Sequence, residues 1–116
     1  LSPAQSQTLV DMVHTYQPNC LINSRIGNGL GDYRSLGDNQ IPEEYLSGGL
    51  FETPATLNDT WGYKSFDNNW KDARRVLDLK RHLNERGINY LLNVGPDYLG
   101  RIPAPAAQIL RSAGRA

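Results

Sequence analysis

A carboxylic acid and two aromatic side chains lie at opposite ends of one strand-like stretch of the sequence. Glu52 follows Phe51 at the start of this stretch, and Trp61 and Tyr63 lie just beyond its end. A carboxylic acid can protonate a glycosidic oxygen, and an indole face packs well against the apolar face of a sugar. These residues therefore predict a carbohydrate site that binds a sugar and acts on its glycosidic bond.

Three short stretches are predicted to be parallel strands, and polar or special residues follow each of them. The stretches are Cys20–Asn23, 50–57 and 88–94. Ligands of parallel α/β folds gather at the carboxyl ends of the strands. We therefore expect Asn23 and Arg25, the residues around Trp61, and Asn93 to lie on one face of the molecule.

Helical patterns alternate with these strands over residues 3–17, 70–86 and 104–113. Ser2 and Gln5 form a capping box at the first helix, and Gly87 and Gly114 follow the other two. A glycine-rich loop of unusual length covers residues 26–50, and such loops are often functional. The alternation predicts an α/β fold in one domain, residues 1–116, with about three parallel strands and three helices.

The alternation of helices and strands resembles that of a (β/α)₈ TIM barrel, but the chain is too short to form a closed one. It has 116 residues, whereas a closed (β/α)₈ TIM barrel typically needs about 250. Three strands would form a partial barrel with two open sheet edges, and open edges invite pairing with other chains. We therefore expect a homo-oligomer in which copies pair edge to edge or exchange elements.

The amino-acid composition limits the classes of partner and cofactor that we expect. Twelve basic and twelve acidic residues cancel, so neither nucleic acid nor a membrane is expected as a partner. Cys20 is the single cysteine and allows no internal disulfide, and no signal peptide is visible, which leaves the compartment open. His14 and His82 lie on predicted helices without metal-binding spacing, so no metal or cofactor is expected.

Seven segments, in order and at similar spacing, resemble the glycoside hydrolase family 29 α-L-fucosidases. They are Asn23-Ser24-Arg25, Gly31-Asp32-Tyr33, 37–42 (GDNQIP), Phe51-Glu52-Thr53, Trp61-Gly62-Tyr63, 87–96 (GINYLLNVGP) and Gly100-Arg101-Ile102-Pro103. The resemblance implies a hydrolase that cleaves terminal α-L-fucose with retention of configuration. It covers essentially the whole chain but only the C-terminal part of that family's barrel. The family's nucleophilic aspartate would precede Leu1.

The resemblance also implies candidate catalytic residues. Glu52 matches the general acid/base of part of the family, and Phe51 would be an apolar neighbour that favours its protonated form. Other members carry their acid at the position of Gly37, which makes the adjacent Asp38 the rival candidate. Asp32 is a further candidate carboxylate in the cleft; the alternative is a turn residue that bonds its own loop.

Candidate substrate-binding residues follow in the same way. Arg25 matches an arginine near the family's sugar, and the alternative is an ion pair with Asp32. Trp61 matches the aromatic wall of the sugar site, and Tyr63 and Asn23 belong to the same matching segments. Asn23, like Asn93, is also explained as a residue that satisfies backbone groups at a strand end.

Three classes of function therefore stay open. The first is a truncated, oligomeric α-L-fucosidase, in which Asp32, Asp38, Asp59 or Asp67 of a second copy replaces the nucleophile, or water attacks directly. The second is a fucose-binding module without catalysis, in which Arg25 and Trp61 hold the sugar. The third is an inert remnant or one piece of a split fucosidase. In the first two classes the ligand is a fucoside or a fucosylated glycan.

Overall fold

A computed structural model describes all residues 1–116 and consists of alternating helices and strands. The elements are α1 Pro3–Tyr16, a 3₁₀ turn Ser24–Ile26, β1 Arg34–Ser35, β2 Phe51–Thr56, α2 Ala73–Glu85, β3 Ile88–Asn93 and α3 Ala104–Arg115. The strands form one parallel sheet in the order β1-β2-β3. The predicted α/β fragment of three parallel strands and three helices is confirmed. None of the helices combines the length and apolar character needed to cross a membrane.

The first helix starts as its sequence predicts. The Ser2 hydroxyl accepts a hydrogen bond from the Gln5 N–H at 3.1 Å, and the Gln5 side chain accepts from the Ser2 N–H at 2.8 Å. Ser6 is the one buried residue of α1. Its hydroxyl donates to the Ile26 carbonyl at 2.7 Å and accepts from the Asn28 amide at 2.7 Å. A single serine therefore makes the buried polar attachment of α1 to the following loop.

The prediction of a strand at Cys20–Asn23 was wrong. Within this segment, Asn23 forms one isolated parallel bridge with Tyr33. The Asp32 carboxylate accepts a hydrogen bond from the Ile22 N–H at 2.8 Å. Because that N–H is bound by a side chain, it is not available for a strand ladder. The third strand is β1, which lies inside the predicted long loop.

The two faces of β2 have different surroundings, because successive side chains of a strand point to opposite faces. Phe51 and Leu57 lie on the face that α2 covers. The buried apolar clusters are Phe51 with Leu83 and Ile88, and Leu57 with Val76 and Ala106. Glu52 and Pro54 point to the other face, over which no helix of this chain packs.

The helix ends differ from the prediction in two places. α2 begins at Ala73 rather than Trp70, because the Asp72 carboxylate caps it by accepting an N–H of the first turn at 2.8 Å. Gly87 follows α2 with a φ of 76°, which is the left-handed stop that the sequence predicts. Gly114 lies inside α3 rather than after its end.

The contact of α2 with the sheet gives a stability prediction. Leu83→Ala removes a fully buried side chain from the cluster with Phe51 and Ile88, and we expect it to lower the free energy of unfolding by about 2 to 5 kcal/mol. Leu99→Ala, at an exposed leucine in the turn after β3, is the matched control and should cost less than about 1 kcal/mol. Urea denaturation monitored by circular dichroism measures both. Equal losses would contradict this core.

Candidate functional site

A concave cavity of about 490 Å³ lies at the carboxyl-terminal parts of β2 and β3. It is lined by Arg25, Asp38, Pro54, Trp61 and Leu91–Val94. The structure thus brings together three residues that the sequence singles out, namely Arg25, Asp38 and Trp61. Their guanidinium, carboxylate and indole groups around an apolar floor suit a small ligand that carries hydroxyl groups and an apolar face.

Arg25 and Asp38 contact each other at the rim of this cavity. The Arg25 Nη2 and Asp38 Oδ1 atoms are 3.4 Å apart, and each side chain is 63% exposed. The ion pair that the sequence suggested between Arg25 and Asp32 is therefore replaced by a pair with Asp38. Ion pairs between exposed side chains contribute about 1 kcal/mol or less, so both groups can reorient toward a ligand at little cost.

Asn39 holds the Asp38 loop against β2. Its N–H donates to the Pro54 carbonyl at 2.8 Å, and its side-chain oxygen accepts from the Thr56 N–H at 3.2 Å. Its φ is 54°, a left-handed conformation that asparagine tolerates better than most residues. The sequence alone did not reveal this role of Asn39. The available signal was an asparagine directly after Gly37 and Asp38.

Trp61, which is 38% exposed, is fixed through its backbone. The Asn93 amide donates to the Trp61 carbonyl at 2.9 Å and to the Thr56 hydroxyl at 3.0 Å. A Cβ atom at Gly95 would lie 2.9 Å from both the Trp61 carbonyl oxygen and the Tyr63 nitrogen. Glycine is thus required for this close approach. The prediction that Asn93 satisfies a backbone group at a strand end is confirmed.

Glu52 lies outside this cavity. It is half-buried, accepts a hydrogen bond from the Asn23 amide at 3.2 Å, and lines a separate hollow of about 320 Å³. The expectation that Phe51 is an apolar neighbour of the Glu52 carboxyl is wrong, because Phe51 points to the opposite face of β2 and packs against Leu83. Glu52 precedes Pro54 by two residues, or about 6.6 Å along the strand.

Three other candidates also lie outside the cavity lining. The Asp32 carboxylate bonds the Ile22 backbone, and Asp32 lines a third hollow of about 350 Å³ between glycine-rich segments. The Asn23 side-chain oxygen accepts from the Arg25 N–H at 2.8 Å, which fixes the turn that carries this arginine. Tyr63 is exposed, beyond Trp61.

A buried carboxylate orders the loop that carries Trp61. Asp67 accepts hydrogen bonds from the Asp59 N–H at 3.0 Å, from the Thr60 N–H at 2.8 Å and from the Thr60 hydroxyl at 2.9 Å. Burial disfavours its charge, but the Thr60 hydroxyl and the N–H groups of Thr60, Asn69 and Asp59 outweigh this and hold the pKa of Asp67 below its usual value. Asp67 is thus engaged within its own loop.

Two further groups with shifted pKa values lie outside the cavity lining. The Arg101 N–H is the main cause of the lowered pKa of Asp97; burial opposes it, while the Leu99 N–H and the Arg101 side chain reinforce it. Burial raises the pKa of Tyr90, and the charge of Arg75 opposes this. The Tyr90 hydroxyl is buried without a hydrogen-bond partner. Asp97 thus serves the turn after β3.

The structure contains no cluster of three or more His, Cys, Asp or Glu side chains that is arranged to hold a metal ion. His14 contacts the Cys20 carbonyl at 3.2 Å, and His82 contacts the Pro42 carbonyl at 2.8 Å. Both histidines therefore bond backbone within the fold.

Known proteins match nearly the whole chain, both in sequence and in fold. The family model described as Alpha-L-fucosidase matches residues 2–115. The α-L-fucosidase AlfC from Lactobacillus casei, solved with the product α-L-fucose, is 55% identical with a TM-score of 0.84. The alignment covers 99% of this chain and 35% of that one. No curated protein sequence matches the chain.

More distant solved structures agree in fold. The α-L-fucosidase isoenzyme 1 from Paenibacillus thiaminolyticus is 29% identical with a TM-score of 0.85, over 96% of this chain and 30% of that one. The α-L-fucosidase from Vibrio sp. strain EJY3 is 31% identical with a TM-score of 0.86, over 93% and 20%. The chain therefore spans about a third or less of the length of these solved chains.

The Asp67 hydrogen bonds give a prediction about pH. Because the folded pKa of Asp67 is lowered, its ionised form stabilises the fold at pH values above about 3.9, the usual aspartate pKa. This contribution is lost as the pH falls through the folded pKa. Asp67→Asn should therefore lower the Tm at pH 7, and its difference from wild type should shrink as the pH falls below about 3.9.

Thermal melts monitored by circular dichroism across this pH range measure the effect. Asp78→Asn is the control, because Asp78 lies on the exposed side of α2 and makes only long ion pairs at 3.9 Å. A Tm deficit of Asp67→Asn that stays constant at every pH would show that the hydrogen bonds to the ionised carboxylate are not its cause.

Proposed function

Because the chain belongs to the α-L-fucosidase family, we propose that it is a fucosidase-like glycoside hydrolase that acts on terminal α-L-fucose. The observation that carries this proposal is the meeting of Arg25, Asp38 and Trp61 in one cavity. The solved AlfC relative holds α-L-fucose, and a monosaccharide of this size suits a cavity of about 490 Å³. The ligand is therefore the fucosyl group of a fucoside or fucosylated glycan.

Each of the three side chains has a defined task in this proposal. The Trp61 indole packs against the apolar face and the methyl group of fucose. The Arg25 guanidinium donates hydrogen bonds to ring hydroxyls or to a carboxylate. Asp38 gives a proton to the glycosidic oxygen as the bond breaks and takes one from water afterwards. Asp38 is favoured over Glu52 because Glu52 lines a different hollow.

The second carboxylate of a retaining glycosidase must come from outside this cavity. A retaining mechanism needs two carboxyl groups about 5–5.5 Å apart, whereas Asp38 is the one acidic residue in the cavity lining. Asp67 is a poor substitute because its oxygens are occupied in its own loop. We propose that the second carboxylate is supplied by polypeptide that packs on the open face of the sheet.

The size of the exposed surface supports such an association. The chain exposes 7817 Å², roughly 1500 Å² more than a compact monomer of its mass. Its radius of gyration is 16.6 Å, against about 13.4 Å for a compact chain of this length. A standard interface buries about 800 Å² per partner. The excess surface is therefore of the size that contacts with further polypeptide would bury.

Some of the exposed apolar side chains form two groups. Leu9, Met12, Val13 and Tyr16 lie on α1, and Leu21, Leu50 and Leu91 lie at the sheet. Leu21 and Leu50 line the same hollow as Glu52, and Leu91 lines the cavity. The open face of the sheet therefore offers both apolar surface and the edge of the incomplete site.

Non-catalytic fucose binding is the second candidate function. The observation that favours it is the single carboxylate in the cavity lining, which suffices for binding but not for a double displacement. Calorimetric titration with L-fucose, alongside turnover of 4-nitrophenyl α-L-fucoside, separates the two. Binding without turnover identifies a binding module, and the absence of both identifies an inert remnant or one piece of a split enzyme.

We expect copies of the chain to associate in solution. Size-exclusion chromatography with light scattering should give a mass of two or more chains. Leu91→Glu should shift it toward the monomer, because it places a charge on the open face of the sheet. Leu99→Glu, in the turn after β3, is the control and should leave the mass unchanged. A folded wild-type monomer would refute the homo-oligomer.

We expect Asp38, rather than Glu52, to be the catalytic acid. Asp38→Asn should lower kcat on an α-L-fucosyl disaccharide by roughly 10²- to 10⁴-fold, because a sugar leaving group needs a proton. The loss should be smaller on 4-nitrophenyl α-L-fucoside, whose nitrophenolate leaves without one. Glu52→Gln is the matched control and should keep most of the activity on both substrates. The opposite pattern would assign the acid to Glu52.

A further inference from the structure

Thr56 is the last residue of β2 and is only 1% exposed. It forms hydrogen bonds with three other segments of the chain. Its N–H donates to the Asn39 side chain at 3.2 Å, and its carbonyl accepts from the Lys71 ammonium at 2.7 Å. Its hydroxyl accepts from the Asn93 amide at 3.0 Å and lies 3.3 Å from the Thr60 carbonyl. Every polar group of this residue therefore has a partner in another part of the chain.

Both walls of the cavity are attached to this one residue. The first wall carries Asp38, and the neighbouring Asn39 binds the Thr56 backbone. The second wall carries Trp61, whose carbonyl is bound by the same Asn93 amide that donates to the Thr56 hydroxyl. A displacement at Thr56 would therefore change the distance between the two walls.

Thr56 does not line the cavity itself. It cannot touch a ligand there and can act only through the residues that it holds. A buried threonine needs partners for its hydroxyl and for its backbone N–H and C=O. Here these partners belong to the Asp38 loop, to the Trp61 loop and to β3. The arrangement suits a residue that sets the width of the cavity.

We propose that Thr56 is a positioning residue that fixes Trp61 opposite Asp38 and thereby makes the site selective for a 6-deoxy sugar. This inference rests on the proposed function, in which the Trp61 indole packs against the fucose methyl group. L-galactose differs from L-fucose by one hydroxyl on that methyl carbon. An indole held close to the methyl group leaves no room and no hydrogen-bond partner for the added hydroxyl, so that sugar binds less well.

Two substitutions separate the hydroxyl from the shape of the side chain. Thr56→Val keeps the branched shape and removes the hydroxyl that binds Asn93, whereas Thr56→Ser keeps the hydroxyl. Asn93→Asp replaces the donor amide by a carboxylate and serves as a second variant should Thr56→Val fail to fold. Each protein is labelled with 5-fluorotryptophan, which reports on Trp61 and on Trp70, the two tryptophans of the chain.

The first readout is the fluorine resonance of each tryptophan, assigned with Trp70→Phe. In Thr56→Val and in Asn93→Asp the Trp61 resonance should shift or broaden, while the Trp70 resonance stays in place. Thr56→Ser should resemble wild type. Unchanged Trp61 resonances in folded Thr56→Val and Asn93→Asp would overturn the positioning role.

The second readout is the ratio of the Kd values for L-galactose and L-fucose. In Thr56→Val this ratio should fall by roughly tenfold, because fucose loses affinity and L-galactose does not. A general loss of structure would weaken both sugars equally and leave the ratio unchanged, which would overturn the selectivity claim. If wild type binds neither sugar, the proposed function and the selectivity fail together, and the fluorine shift alone decides the positioning of Trp61.

Discussion

The parallel pairing of β2 with β3 is the constraint on which the rest of the molecule depends. The register runs without a break from Phe51 opposite Ile88 to Thr56 opposite Asn93. Because the strands are parallel, both end at the same edge of the sheet, and Thr56 therefore lies beside Asn93. The loops that leave this edge bring Asp38 and Trp61 to one cavity. A slip of one residue would turn every side chain of a strand to the other face.

Local signals predicted the elements whose partners lie close in sequence. The capping box of Ser2 and Gln5 and the left-handed stop at Gly87 need only a few neighbouring residues, and both were found from the sequence. The strand at Cys20–Asn23 failed for the opposite reason. An apolar run does not reveal whether its backbone groups meet a strand or a side chain, and here the Ile22 N–H meets the carboxylate of Asp32, ten residues further along the chain.

The candidate site was predictable as a set of residues but not as a geometry. Arg25 and Trp61 were found from the ends of the strands and from the family resemblance, yet the expectation that Phe51 lies beside the Glu52 carboxyl neglected the two-residue period of a strand. That period puts Glu52 and its neighbour Phe51 on opposite faces. The path of the Asp38 loop depends on hydrogen bonds made by Asn39, and these follow no sequence period.

Few buried contacts hold α1 to the rest of the molecule, and this affects how easily the helix opens. Ser6 is the one buried residue of this helix, whereas α2 buries three aliphatic side chains. Segments with few buried contacts open with a small free energy, independently of global unfolding. In a single copy we therefore expect the backbone amides of α1 to exchange with solvent deuterium sooner than those of α2, and a protease to reach α1 while the sheet is still intact. The few buried contacts of the amino-terminal helix thus make it the part of a single copy that should open first.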